Sequence, residues 1–255
     1  MVYPPPNIVR FFDRLAPEYE RRLKGKRHSY HRHFHRQRVE AALEDLHLDG
    51  KAILDVGAGT GLLYEHLCRR FHSFEYLACD CSSEMLLRSA IPPDRRILGS
   101  VQDLPAEAGP FDCAFILGVS TYNTKEVFGN LLAETARRLR PRGLAVVSFT
   151  HRRSLDQGLR RLARPLARFL PSSAPRTLVQ SFPLSTYTPS EARALAPPAL
   201  QPRTLRWLNQ TLSPFNLLLP GLSIRLGKQL RRRLQAHPQL LGWFSADFLL
   251  VFEKG

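Results

Sequence analysis

The sequence predicts an α/β chain: a doubly wound, seven-stranded, mostly parallel sheet with a helical lid insertion. Two observations carry this. From about residue 50, short apolar runs alternate with stretches of helical period, which argues a parallel sheet covered by helices. A glycine-rich turn stands where the first apolar run hands over to the first helix.

The elements follow in order. Ala52-Ile53-Leu54-Asp55-Val56 reads as a buried strand, followed by a helix over 62–71. A second strand spans 74–79 and a helix 82–90, and Arg96-Ile97-Leu98-Gly99 is a short third strand. A fourth strand covers 111–117, and a helix over 125–139 is ended by Pro141 and Gly143. The fifth strand covers 144–149. Beyond Thr150 the repeat loosens: Leu155, Leu159, Leu162, Leu166 and Phe169 share a helical face, kinked or broken at Pro165. Thr188 is a plausible N-cap for a helix with Pro189 in its first turn. A sixth strand is expected over 204–208, then a basic amphipathic helix marked by Leu222, Leu226, Leu230 and Leu234, and a final core strand over 248–252. The organisation reads as an N-terminal helical cap (1–40), a cofactor-binding core (41–151), a sixth-strand region with the lid (152–240) and the final strand (241–255).

With 255 residues, 44% of them hydrophobic, the chain has enough material for a buried core. No apolar run approaches the roughly 18 residues a transmembrane helix needs. The start, Met1-Val2-Tyr3-Pro4-Pro5-Pro6, lacks the charged and apolar regions of a secretion signal. Four cysteines form no CxxC pair, so neither a zinc site nor a disulfide framework is expected, and the chain reads as cytoplasmic with reduced thiols. The net charge of +15 is concentrated: residues 21–39 sum to +8 and 157–246 to +12, while 40–156 sum to −3. Such segments are either solvated faces or the grip for an anionic partner, such as a membrane surface or nucleic acid.

Gly57-Ala58-Gly59-Thr60-Gly61 lets a ligand lie against bare backbone at a helix N-terminus. Asp80, 19 residues past Gly61 at the end of the second strand, is where a carboxylate can accept both hydroxyls of a ribose. Met85 offers an apolar surface for an adenine face. The glycines run GxGxG, and Leu62 occupies the place of the third glycine of a dinucleotide fingerprint, which argues against NAD.

These segments together resemble the class I S-adenosylmethionine-dependent methyltransferases, and among them the ubiquinone/menaquinone-type small-molecule enzymes. The resemblance covers roughly residues 10–150. It starts at Phe11-Phe12-Asp13-Arg14-Leu15-Ala16-Pro17-Glu18-Tyr19, then runs through Leu54-Asp55-Val56-Gly57-Ala58-Gly59-Thr60-Gly61 and the segment from Asp80 and Cys81 to Leu86. It continues with Asp103-Leu104-Pro105 and Phe111-Asp112 and ends at Leu139-Arg140-Pro141-Arg142-Gly143-Leu144. It implies a Rossmann-like methyltransferase fold and S-adenosylmethionine as cofactor, with S-adenosylhomocysteine as product. Gly57, Ala58, Gly59 and Gly61 would pass under the methionine part, and Asp55 would orient its amino group. Asp80, beside Cys81, would hold the ribose, and Met85 would pack on the adenine. Tyr19 would close over the site, and backbone groups at Leu117 and Gly118 would meet the amino-acid end. The family often has Asp in a GDA-type segment for the adenine amino group. This chain has Ser100 there, so the Val101 amide with the Ser100 or Gln102 side chain would substitute.

Methyl transfer is an in-line displacement, so positioning and water exclusion carry much of the catalysis, and a base is needed only where the acceptor loses a proton. His151, after the fifth strand, and Tyr122, after the fourth, are the candidates on the carboxyl edge. His28, His31 and His35 share a helical face, but Lys and Arg surround them without a carboxylate, so no metal site is expected. The reading is methyl transfer to a small lipophilic or aromatic acceptor, with O-methylation favoured. The leucine stripes with arginine flanks beyond residue 152 suit an apolar substrate or peripheral contact with an anionic membrane. RNA or protein methylation and a non-catalytic cofactor-binding homologue are the alternatives. Nucleic acid fits less well, because Val119-Ser120-Thr121-Tyr122 replaces the Asn/Asp-Pro-Pro-aromatic motif of enzymes acting on base amino groups.

Overall fold

A computed structural model describes residues 6–24, 29–163, 184–211 and 215–255. Seven strands form one sheet: β1 (Lys51–Val56), β2 (Phe74–Asp80), β3 (Arg96–Leu98), β4 (Phe111–Ile116), β5 (Leu139–Thr150), β6 (Leu200–Gln210) and β7 (Ser245–Lys254), in the order β3-β2-β1-β4-β5-β7-β6. The first five pair in parallel, with Leu54 of β1 opposite Leu77 of β2 and Ala114 of β4. β7 runs antiparallel between β5 and β6. The strand order reverses between β1 and β4, so the loops leaving their carboxyl ends diverge and open a crevice there.

Both faces of the sheet are covered, which is why its central strands read as unbroken apolar runs. Leu54 and Val56 of β1 face α5 (Lys125–Arg138), through Phe128 and Leu131. Ile53 faces the other layer, formed by Val39 and Ala42 of α2 (Ser29–Ala42) and by Leu63 and Leu67 of α3 (Leu62–Arg70). α1 (Pro6–Lys24) crosses the carboxyl edge and is bolted to α4 (Ser83–Leu87): the Ser82 hydroxyl donates to Asp13 Oδ1 at 2.6 Å. Ser82 also caps α4, accepting from the Met85 amide.

Beyond β5 come α6 (Leu155–Ala163) and α7 (Pro189–Leu195). α7 opens with the expected cap: Thr188 accepts from the Glu191 amide, Glu191 reaches back to the Thr188 amide, and Pro189 starts the helix. The expected stripe beyond Ala163, with Leu166, Phe169 and the kink at Pro165, lies outside the described residues. α8 (Phe215–Leu218), α9 (Pro220–Leu234) and α10 (Pro238–Phe244) complete the chain, α9 packing against β6 and α2.

β5, β6 and β7 all start earlier than their apolar runs suggest. β5 begins at Leu139, opposite Phe111, because the Arg140-Pro141-Arg142-Gly143 turn is absorbed as a register shift with Arg142 at φ 63°. β6 begins at Leu200 and carries Pro202 at a second shift, as an edge strand tolerates.

Candidate active site

The crevice between β1 and β4 opens into a cavity of about 430 Å³, roofed by α1 and α2. Most of the expected cofactor residues line it: Tyr19, Asp55, Gly57, Ala58, Gly59, Asp80, Cys81, Met85, Ser100, Leu117 and Gly118. Gly61 does not; its left-handed backbone, φ 79°, instead turns the chain into α3. Val101 is buried in the core and Gln102 is exposed, and neither lines the cavity. Of the three positions expected to replace the family's adenine carboxylate, Ser100 alone is in place. Its hydroxyl is occupied with Gln102 Oε1 at 2.7 Å and Asp103 Oδ2 at 2.8 Å.

The glycine loop is held by the strand beside it. Gly57 and Ala58 donate their amides to the Cys79 carbonyl, and Gly59 donates to Asp80 Oδ2 at 2.7 Å. The other Asp80 oxygen accepts the Ser82 amide at 2.8 Å. Asp80 thus ties the loop after β1 to the turn after β2 while facing the cavity. Burial raises its pKa, against the pull of the Ser82 and Gly59 amides. Gly57 has φ 76°, and a Cβ there would stand 2.4 Å from Val119 Cγ2. Beneath the loop, buried Asp55 accepts the Tyr76 hydroxyl at 2.6 Å. Burial raises Asp55 to about 7, with the Tyr76 bond opposing and the Asp80 charge reinforcing.

Leu117 and Gly118, expected to offer backbone groups to the amino-acid end, both line the cavity, but the Gly118 amide is committed to the Ser148 hydroxyl at 2.8 Å. A guanidinium stands there instead. With φ 82° at Gly118, a Cβ would lie 2.6 Å from Arg38 Nη1. Arg38, from α2, stacks on the Phe34 ring at 4.4 Å, and its Nε is buried with no hydrogen-bond partner. A cation in that position suits a carboxylate. The sequence concealed Arg38 inside a run of bases.

The cavity lining also includes Asn209 and Asp247, which are dispersed in the sequence. Asp247, at the start of β7, accepts from Asn209 Nδ2 at 3.2 Å, and the Tyr30 hydroxyl donates to Asn209 Oδ1 at 2.5 Å. Asn209 lies in left-handed backbone, φ 57°, at the end of β6, with its amide held by Gln37 Oε1 at 2.9 Å. Such a conformation costs a non-glycine residue on the order of 1–3 kcal/mol and persists because neighbours impose it. Burial raises the Asp247 pKa, and the Arg38 charge opposes.

The two catalytic candidates part company. Tyr122 lines the cavity edge-on to Phe12, ring centroids 4.8 Å apart; burial raises its pKa, so it is a proton-bearing group at neutral pH. His151 does not line the cavity. Its ring packs on Trp207 and Phe248, and Nδ1 meets the Ser245 carbonyl at 3.2 Å. Thr150, one residue earlier, faces the cavity, so His151 takes the opposite face, as strand alternation requires. His31 and His35 face one another with Nε2 atoms 3.2 Å apart, and Tyr19 Oη is 3.3 Å from His35 Nδ1. Burial, then Arg38 and His31, push His35 well below its ordinary value, so it is neutral. His28 lies outside the described residues, among which no group of three or more His, Cys, Asp or Glu could hold a metal ion.

The residues fit S-adenosylmethionine. The cavity falls within the roughly 300–1,000 Å³ of small-molecule sites. It pairs a bare glycine cradle and Asp80 with a guanidinium whose buried Nε has no hydrogen-bond partner. Comparison with known proteins agrees. Residues 53–143 match the family model of a methyltransferase domain. No curated protein matches the chain in sequence. Solved structures share the fold. Magnesium protoporphyrin IX methyltransferase from Synechocystis, with bound S-adenosylhomocysteine, is 14% identical, covering 97% of this chain and 98% of that one, with a TM-score of 0.64. N-methyltransferase NodS from Bradyrhizobium japonicum, also with S-adenosylhomocysteine, is 14% identical over 97% and 98%, TM-score 0.59. The putative methyltransferase in complex with the Trm112 activator of Haloferax volcanii is 15% identical over 95% and 97%, TM-score 0.61.

Proposed function

Starting from a chain that carries a class I S-adenosylmethionine-dependent methyltransferase domain, we propose that it methylates a small, lipophilic or aromatic acceptor at a hydroxyl oxygen. One observation carries this reading: a single cavity runs from the glycine loop, past apolar walls supplied by Ile8, Phe12, Leu15 and Phe34, to the Asp247–Asn209 pair. Bound S-adenosylmethionine supplies a methyl group on a sulfonium centre that leaves as a neutral thioether.

The chain's own residues divide the remaining work. Asp80 accepts the ribose hydroxyls, Asp55 faces the ammonium, and Arg38 receives the carboxylate at the end where the Leu117 and Gly118 backbone lines the cavity. Met85 and Ser100 line the adenine side. Asp247, rather than His151, serves as the base: burial raises its pKa, and it accepts the hydroxyl proton as the oxygen–carbon bond forms and the carbon–sulfur bond breaks. Tyr122 and Phe12 close the chamber against water and hold the acceptor in line.

A roof made of two helices favours a small molecule over a base within a polymer, since α1, tied to Ser82 by Asp13, would have to lift to admit a strand. Four free cysteines, one of them exposed, suit a reducing, cytoplasmic setting. The test supplies S-adenosylmethionine with a radiolabelled methyl group to the protein in host cell extract, then separates lipid-soluble, small polar, nucleic acid and protein fractions. Label in the lipid-soluble fraction is expected. Label in RNA or protein overturns the acceptor class, and absence of label with cofactor binding intact supports a non-catalytic homologue.

A further inference from the structure

We propose that the face formed by α8, α9 and α10 docks the protein on an anionic lipid bilayer. This surface lies outside the cavity, and its test does not depend on turnover.

Six large apolar side chains stand exposed there: Leu218 (73%), Leu219, Leu222, Leu226, Leu240 and Trp243 (62%). They are not scattered singly. Leu222 and Leu226 are one turn apart on α9, and Leu240 and Trp243 are one turn apart on α10, which packs against α9. A groove of about 280 Å³, lined by Leu226, Leu230, Phe244 and Arg233 among others, joins the two helices. Exposed apolar side chains set in pairs along two packed helices mark an interaction site.

The charge chooses the occupant. No Asp or Glu occurs from Phe215 to Ala246, while Arg225, Lys228, Arg231, Arg232 and Arg233 do. Arg231 is within 4.0 Å of Glu44. The other four are exposed, with no ion pair among the described residues. A second copy docked by two-fold symmetry would set this patch against itself, basic against basic. A nucleic acid would leave the leucines without a partner, since it offers aromatic stacking and phosphate rather than an apolar medium. An anionic bilayer satisfies both halves: leucines enter the acyl boundary, Trp243 sits at the headgroup level, and the arginines meet lipid phosphate.

The experiment pairs vesicle sedimentation with tryptophan emission. Vesicles are either phosphatidylcholine alone or three parts phosphatidylcholine to one part phosphatidylglycerol, at low salt. The chain has two tryptophans, 207 and 243, so Trp207→Phe leaves Trp243 as the sole reporter. Binding to the anionic vesicles with a blue-shifted Trp243 emission is expected, weakening by about tenfold or more at high salt. Leu222→Asp with Leu226→Asp should abolish it while S-adenosylhomocysteine binding stays at wild-type level, which shows the variant is folded. The proposal is overturned by no sedimentation at low salt, by equal binding to both vesicles, or by an unshifted Trp243. It is also overturned if sedimentation velocity finds a dimer that Trp243→Glu dissolves, which would assign the face to a second copy.

Discussion

Asp80→Asn separates cofactor recognition from folding. Both carboxylate oxygens already accept a backbone amide, Gly59 at 2.7 Å and Ser82 at 2.8 Å. Asparagine therefore points its NH₂ group at one of those N–H groups whichever way it is flipped. Setting a donor against a donor in a buried site costs about 1–3 kcal/mol. The charge-assisted bonds to a ribose are worth roughly 1.5–3 kcal/mol each and fall to neutral strength. The loop cost is common to the free and bound protein, so with two ribose bonds each weakened by about 1–2 kcal/mol, affinity for S-adenosylhomocysteine should drop by about 2–4 kcal/mol, or roughly 30- to 1,000-fold. The ligand-free fold should change little. Burial raises the Asp80 pKa, so its charge opposes folding, and removing it offsets the damaged loop contact. Calorimetric titration gives the affinity, and a thermal melt of the free protein gives the stability. If Asp80→Asn binds within about threefold of wild type, the ribose assignment is wrong, because no compensation in this geometry hides a loss of 2 kcal/mol.

Further outcomes follow from the same site. Arg38→Gln should weaken S-adenosylhomocysteine binding by about tenfold or more yet leave 5′-methylthioadenosine, which lacks the amino-acid carboxylate, unaffected; parallel losses for both ligands would remove Arg38 from that role. Asp55, raised to about 7, keeps in the folded state a proton that the unfolded chain releases near pH 4. Stability should therefore fall as pH rises from about 4 to 7 and level off above, by up to about 4 kcal/mol, and Asp55→Asn should flatten that slope in urea titrations. Placing an ammonium beside Asp55 favours its ionised form, so cofactor binding near pH 6.5 should release protons. Titration in buffers of different ionisation enthalpy checks the sign, and uptake contradicts the arrangement. Asp247→Asn should keep cofactor affinity while lowering methyl incorporation by about 100-fold or more; undiminished labelling would return the search for a base to Tyr122.

The half of the molecule that contains the glycine loop was legible because its information is contiguous. Parallel strands buried on both faces appear as apolar runs, and the loop after β1, Asp80 and Met85 lie along a short stretch of chain. Where sequence reading slipped, the cause is geometric. His151 and Thr150 are neighbours in the sequence but face opposite sides of the sheet, so an error of one residue moves a side chain from the cavity into the core. The Gly118 amide is taken by Ser148, a partner 30 residues away in the sequence. Arg38, Asn209 and Asp247 come from three distant elements, and each is ordinary in its local sequence: one base in a basic run, one amide at a strand end, one acid before an apolar strand. The lone acid preceding 248–252 was the available signal, since a carboxylate adjoining a core strand needs a partner.

The placement of β7 bears on how the protein is made. β6 ends at Gln210, but the strand that joins it to β5 spans Ser245–Lys254. On a ribosome adding about 5–20 residues per second, roughly 40 residues must still be synthesised, so β6 waits about 2–8 s for its partner. During that interval one edge of β5 is bare and β6 has no ladder at all, an opening for mispairing with other nascent chains. The glycine loop, Asp80 and Gly118 all precede β5, whereas Asp247 arrives with β7. On the proposed assignment, a growing chain completes the residues facing S-adenosylmethionine seconds before Asp247 exists, and a ligand binding there early would steady the sheet while its last strand is awaited.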